Sequence, residues 1–172
     1  AAMYRGAMLD EIGGFDEDFF AYGDDAELGL RARIAGWTCR YEPGAVVRHR
    51  RGSTLGVESA RRIELIERNR VLLAAKLFPW SLLWLNGFYY AARLAAGVRA
   101  AVAGRGDTAH FAGVRGKLKL AAALLRGDWQ ALLLLPRMLA KRREVERYRK
   151  LPPREVRRLI LNNRPPLRAM VE

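Results

Sequence analysis

Charge is divided unevenly along this chain, and that division limits the folds open to it. Up to about Ala60 acids slightly outnumber bases, with Asp10, Glu11, Asp16, Glu17, Asp18, Asp24, Asp25 and Glu27 gathered early. Beyond that point Lys and Arg outnumber Asp and Glu by roughly three to one. A break this sharp, near Gly52 to Ser59, predicts two regions, residues 1–58 and residues 59–172. The second region supplies most of the net charge of +13, which implies an anionic partner: nucleic acid, anionic lipid headgroups or a phosphorylated substrate. With 172 residues, 51% hydrophobic and 28% charged, the chain is neither disordered nor an ordinary polytopic membrane protein. It is long enough for one domain with a core, or a small domain plus an appendage.

The first region has no long run of either helical or strand period, so it is read by segments. A short helix is expected over Arg5 to Ile12, stopped by Gly13-Gly14. Phe15 to Tyr22 reads as an irregular, aromatic and acidic loop. Asp24 and Asp25 stand where a helix would begin, and Ala26 to Ala35 continues it until Gly36. Trp37 to Tyr41 and Ala45 to Val47 read as β-like runs around a Pro43-Gly44 turn. The single cysteine, Cys39, excludes an internal disulfide and a CxxC metal cluster; it is expected to be a small core residue in a reducing, cytoplasmic setting. Ala1-Ala2-Met3-Tyr4-Arg5 resembles neither a signal peptide nor a natural start, so the chain is expected to be a fragment that begins inside a domain.

The second region reads as helical. Ser59 is the expected N-cap of a helix to Leu77, with Ile63, Ile66 and Leu73 on one face at helical spacing. No charged residue occurs from Leu77 to Ala92, a run shorter than the about 20 apolar residues that cross a bilayer. Pro79 near its start and Trp80, Trp84, Tyr89 and Tyr90 along it suit an interfacial or re-entrant helix. Internal packing of the same run is the competing expectation. Further helices are expected over Phe111 to Leu125, Trp129 to Lys150 with a bend or break at Pro136, and Pro153 to Leu161.

The segment from Gly14 to Trp37 carries the chemistry. It puts an acid pair at a helix N-terminus directly after an aromatic loop, where free backbone N–H groups and the helix dipole favour negative charge. A carboxylate at the rim of a pocket can take the proton of a sugar hydroxyl as that hydroxyl attacks. By spacing alone the plainer reading is Asp24 as a helix cap and Asp25 as a solvated side chain.

The motifs Gly13-Gly14-Phe15-Asp16-Glu17, Phe19-Phe20-Ala21-Tyr22, Asp24-Asp25-Ala26-Glu27-Leu28-Gly29-Leu30-Arg31, Gly36-Trp37 and Val46-Val47-Arg48-His49 follow in order. With Gly52-Ser53 and Glu67-Arg68-Asn69-Arg70, this series over roughly the first 75 residues resembles the family 2 inverting glycosyltransferases, in particular their rhamnosyltransferase-like branch. The resemblance implies an α/β fragment, the C-terminal, acceptor-side end of a GT-A domain over 1–58, followed by an α-helical basic extension over 59–172. It implies transfer of a sugar from a nucleotide-sugar to a cell-surface polysaccharide or lipid-linked acceptor.

By the same resemblance Asp25 is the catalytic base and Asp24 fills the preceding acidic slot, where Glu is commoner. Asp16, Glu17, Tyr22 and Trp37 would bind the acceptor. Arg48, Arg50 and Arg51 would bind diphosphate or lipid phosphate, and His49 would be a ligand of a divalent metal, Mn²⁺ or Mg²⁺. A surface position for His49, ordinary solvation for the arginines and a solvated loop for Asp16 and Glu17 are the plainer alternatives. By the same resemblance the sequence is expected to begin beyond the nucleotide-binding half and the Asp-x-Asp that holds the metal there, so the fragment is expected to be inactive alone.

The basic extension would hold such a site at the cytoplasmic face of a bacterial inner membrane, peripherally or re-entrantly, against anionic lipid. A non-catalytic module of membrane-surface or nucleic-acid-binding type is the rival reading, with Lys141-Arg142-Arg143, Arg147 to Lys150 and Arg157-Arg158 as phosphate contacts. No helix-turn-helix, zinc-finger or RNP-type pattern accompanies those bases, so nucleic acid is the less expected partner.

Overall fold

A computed structural model describes residues 2–48, 59–88 and 113–163. In chain order its helices are α1 (Gly6–Ile12), a 3₁₀ turn (Glu17–Phe19), α2 (Asp24–Ile34), α3 (Ala60–Leu77), α4 (Gly113–Arg147) and α5 (Pro153–Asn162). Residues 80–88 form a further helical segment after the break at Phe78-Pro79. All regular structure among the described residues is helical. The expected α/β fragment of a GT-A domain is therefore overturned. The two β-like runs fail for a physical reason: a strand exists only through a ladder to a neighbour. Here residues 37–48 instead close local turns, Ala45 N–H donating to the Glu42 carbonyl (3.1 Å) and Val46 N–H to the Gly44 carbonyl (3.1 Å).

The helix limits follow local chemistry. α2 starts behind Gly23, whose left-handed backbone (φ 85°) suits a residue without Cβ. It ends where Gly36 (φ 86°) lets the Trp37 N–H reach the Ala32 carbonyl (3.0 Å). α5 opens on Pro153, a residue already set for a first helical turn. Ser59 does precede α3, but it caps with its backbone carbonyl and not with its side chain.

The two helices expected over 111–125 and 129–150 are one, α4, with Pro136 inside it. Gly127 is a close-approach position rather than a break. A Cβ there would sit 2.6 Å from the Glu64 carbonyl oxygen, so the missing side chain lets α4 lie directly on α3. Phe19, Leu72, Ala75, Ala131 and Met138 fill that contact, joining the aromatic loop to both long helices. Met8, Ile12, Leu28, Ala32 and Ala35 pack α1 on α2. Ile34, Leu77, Val145 and Val156 tie the far ends of α2, α3 and α4 to α5. The N–H groups of Lys150 and Leu151 both donate to the Ile34 carbonyl (2.9 Å each), which fixes the α4–α5 turn against α2.

Two expectations about burial are corrected. Cys39 is exposed, because the strand that would have carried it inward does not form. The buried face of α3 is not that of Ile63, Ile66 and Leu73, which are only half-buried, but one bearing Glu64, Glu67, Arg68, Asn69 and Lys76 beside Leu65 and Leu72. Buried polar groups persist only with partners, and the acidic segment supplies many of them. Among the described residues no helix is long and apolar enough to cross a membrane.

Candidate functional site

The acidic segment between α1 and α2 is held from below by cations. Arg31, on α2, reaches back to the end of α1, where its Nη1 donates to the Ile12 carbonyl and its Nη2 to the Gly14 carbonyl (2.6 Å). Its Nε and Nη2 also meet both oxygens of Glu27, one turn earlier and fully buried (2.9 and 3.0 Å). Such a bidentate pair is strong because its geometry is planar and charge-assisted. Lys76, from α3, bridges Glu27 Oε1 (2.6 Å) and Asp16 Oδ2 (2.7 Å). Lys141, from α4, pairs with Asp16 Oδ1 and with Asp18 Oδ2 (2.7 Å), and Arg137 Nε adds a contact to Asp18 (2.9 Å).

Asp16 is thus surrounded. Burial alone would raise its pKa, but hydrogen bonds from Lys141, Lys76 and the Asp18 N–H outweigh burial and hold the carboxyl at about 2. Lys141 moves the other way for the matching reason: burial would lower it, and its hydrogen bonds to Asp16 and Asp18 raise it.

The aromatic loop is held by α3. The Asn69 side-chain amide lies within hydrogen-bond distance of the carbonyls of Phe19 (2.8 Å), Ala21 (2.8 Å) and Tyr22 (2.7 Å). Arg68 Nη2 donates to the carbonyls of Asp18 and Phe19 (2.9 Å each), and its Nε donates to Asn69 Oδ1 (2.9 Å). These bonds fix a backbone that would not persist unaided, since Phe20 (φ 60°) and Tyr22 (φ 70°) both occupy the left-handed region. The consequence is positional: Phe19 is buried as an anchor, Phe20 is turned out to solvent, and Gly23 is delivered to the start of α2.

Asp24 and Asp25 are the first two residues of that helix. Asp24 is half-buried and Asp25 exposed, its Oδ1 accepting from the Ala26 N–H (2.8 Å). The Tyr4 hydroxyl, half-buried and edge-on to the Phe15 ring (centroids 5.8 Å apart), is raised in pKa first by burial and then by Asp25 and Asp24. Tyr4 therefore lies in the field of the acid pair.

Glu17 is exposed at the start of the 3₁₀ turn. Tyr22 is half-buried, with the Arg62 guanidinium 5.8 Å from its ring centroid. Trp37 lies just past the other end of α2, where its Nε1 donates to Glu11 Oε2 (2.8 Å) while Lys150 holds Glu11 Oε1 (2.7 Å). Those two hydrogen bonds, Lys150 first, lower the Glu11 pKa. Arg48 is exposed; His49, Arg50 and Arg51 lie outside the described residues. Among the described residues no three of His, Cys, Asp and Glu come together to hold a metal ion. The divalent ion implied by the resemblance has no site built from them. The sequence reading gives no role to Asn69, Arg68 or Lys76, and offers Lys141 as a phosphate contact in the rival reading, whereas here it pairs with Asp16 and Asp18. The run Glu67-Arg68-Asn69-Arg70 marked the first two through its place in the motif series.

Comparison with known proteins agrees with the motif series. A family model described as "Glycosyl transferase family group 2" matches residues 1–112. Two curated relatives, both N-acetylglucosaminyl-diphospho-decaprenol L-rhamnosyltransferases of Mycobacterium tuberculosis, strains CDC 1551 and H37Rv, are each 38% identical over 58 residues. That match covers 34% of this chain and 19% of each relative, so the alignment spans about a fifth of their length. No solved structure matches the chain.

Proposed function

The chain belongs to glycosyl transferase family group 2, and from that premise we propose that it contributes the acceptor side of a sugar-transfer site whose base is Asp25. The observation that carries the reading is the contrast within the acidic segment. Asp16, Asp18 and Glu27 are engaged by Lys76, Lys141, Arg137 and Arg31. Asp25 stands exposed at the first turn of α2, on a helix whose start is set by the pinned loop. Asp16 then serves the site by holding it in shape, and Asp24 and Tyr4 border the base.

In the proposed reaction Asp25 takes the proton of the acceptor hydroxyl. The acceptor oxygen forms its bond to the anomeric carbon of the donor sugar as that carbon's bond to the nucleoside diphosphate breaks, with inversion. The donor is a nucleotide-sugar and the acceptor a lipid-linked glycan. Support for the acceptor comes from the two relatives, whose name specifies an N-acetylglucosamine carried on diphospho-decaprenol.

The test is sugar transfer from labelled nucleotide-sugars to polyprenyl-diphosphate-linked N-acetylglucosamine, by the protein in its natural sequence context, with and without Asp25→Asn. General-base loss predicts a fall in kcat of about 10²–10⁴-fold with the acceptor KM little changed. Retention of kcat within a few-fold in Asp25→Asn would remove Asp25 as the base.

A further inference from the structure

α4 carries two apolar faces, and only one of them is used inside the molecule. Ala123, Gly127, Ala131 and Met138 are buried, the last three against α3 and the loop. On the roughly opposite side of the helix, Val114, Leu118, Leu125, Trp129 and Leu132 are all exposed, from 57% to 76%. At about 100° per residue these five fall within about 60° of one another, a straight stripe over five turns. Arg115, Lys119 and Arg126, also exposed, follow along one shoulder of that stripe. The helical segment 80–88 repeats the pattern: Trp84 and Phe88 are exposed at four-residue spacing while Leu82 is buried, and Trp80, one turn earlier and also exposed, has the Arg142 guanidinium 4.6 Å from its ring centroid. Large exposed apolar patches mark interaction surfaces. Apolar and Trp-rich stripes beside Lys and Arg, on helices too short or too polar to span, suit the boundary of a lipid bilayer.

We propose that the outer stripe of α4, together with the aromatic edge of residues 80–88, is a docking surface for an anionic bilayer. Charge complementarity selects this occupant: the region beyond Ala60 has roughly three bases per acid, and three of its cations line the stripe itself. The apolar side chains enter the interface while Arg115, Lys119 and Arg126 meet lipid phosphates. This surface goes beyond the sugar-transfer reading and does not depend on it, because membrane binding can be measured without any sugar donor.

The experiment is co-sedimentation of the purified 172-residue chain with vesicles of pure phosphatidylcholine or of phosphatidylcholine with phosphatidylglycerol. Binding to the anionic vesicles is expected, with partitioning reduced at least tenfold by Leu125→Asp combined with Leu132→Asp. Replacing Arg115, Lys119 and Arg126 by Gln should weaken it by roughly fivefold per cation, about a hundredfold together, on anionic vesicles only. Circular dichroism checks that each variant stays folded. Should the aspartate pair unfold the chain, quenching of wild-type Trp fluorescence by lipids brominated on their acyl chains decides instead, with Trp129→Phe expected to lower it. Absence of vesicle binding, absence of quenching, or binding abolished by salt and insensitive to the aspartate pair overturns the proposal. So does a chain dimer that the aspartate pair dissociates while vesicle binding stays unchanged, since the stripe would then belong to a second copy.

Discussion

Asp16 and Asp25 belong to one short acidic segment, yet they live in different physical worlds. Asp16 lies under the segment, its two oxygens taken by Lys76 and Lys141. Asp25 stands on top, at a helix start and in contact with water. Nothing in the local sequence separates them; what separates them is that α3 and α4 aim lysines at one and not at the other. The role of an acidic residue in this fold is decided by the helices packed beneath it. Ionic burial fixes the loop, and fixing the loop leaves Asp25 of α2 open.

The largest effect should come from breaking the buried side of this contrast. Lys76→Met leaves Glu27 and Asp16 each short of a cation in a buried setting, and removing one partner of a buried pair costs about 3–5 kcal/mol. Arg31 and Lys141 remain, so the lower end of that range is expected in urea denaturation of the variant.

Asn69→Ala comes next. It strips the amide from the carbonyls of Phe19, Ala21 and Tyr22, and unpaired buried carbonyls cost about 1–3 kcal/mol. Its distinguishing sign is local: hydrogen exchange should rise in residues 18–25 more than in α4, whereas uniform acceleration would mean that Asn69 supports the core as a whole.

Acid should weaken the same centre. The Asp16 carboxyl sits at about 2 in the folded protein against its ordinary 3.8, so its contribution is complete above pH 4 and is lost as pH falls toward 2. The contribution is on the order of 2 kcal/mol, from about 1.4 kcal/mol per unit. Lys141→Met should shrink this acid limb, since Lys141 supplies the leading hydrogen bond that lowers the group. An unchanged acid limb in that variant would assign it to other carboxylates.

Much of this architecture could be read from the sequence, and the failures share a cause. Helix limits were legible wherever one residue decides them, as at Gly36 after α2 and Pro153 before α5. The family was legible because its motifs run in order through one short stretch. The buried face of α3 was not. Periodicity favours Ile63, Ile66 and Leu73, but Asn69 and Lys76 turn inward because their partners, Phe19 and Asp16, are some 50 and 60 residues away in sequence. The strand at 37–41 failed similarly, since β-propensity without a ladder partner has nothing to form. Gly127 falls in the interval between two expected helices, and it is the point where α4 touches the α3 backbone. At the candidate site the pair Asp24-Asp25 was legible from its place at a helix start, whereas the clamp that sets that start was not.

The most direct measurement is the difference in unfolding free energy between Asp16→Asn and Asp25→Asn in the same urea titration. A locked scaffold acid and an open site acid predict a cost of about 3 kcal/mol for the first and a change within about 0.5 kcal/mol for the second, as for other surface substitutions. Equal costs, or a larger cost for Asp25→Asn, would contradict the division of labour between the two acids.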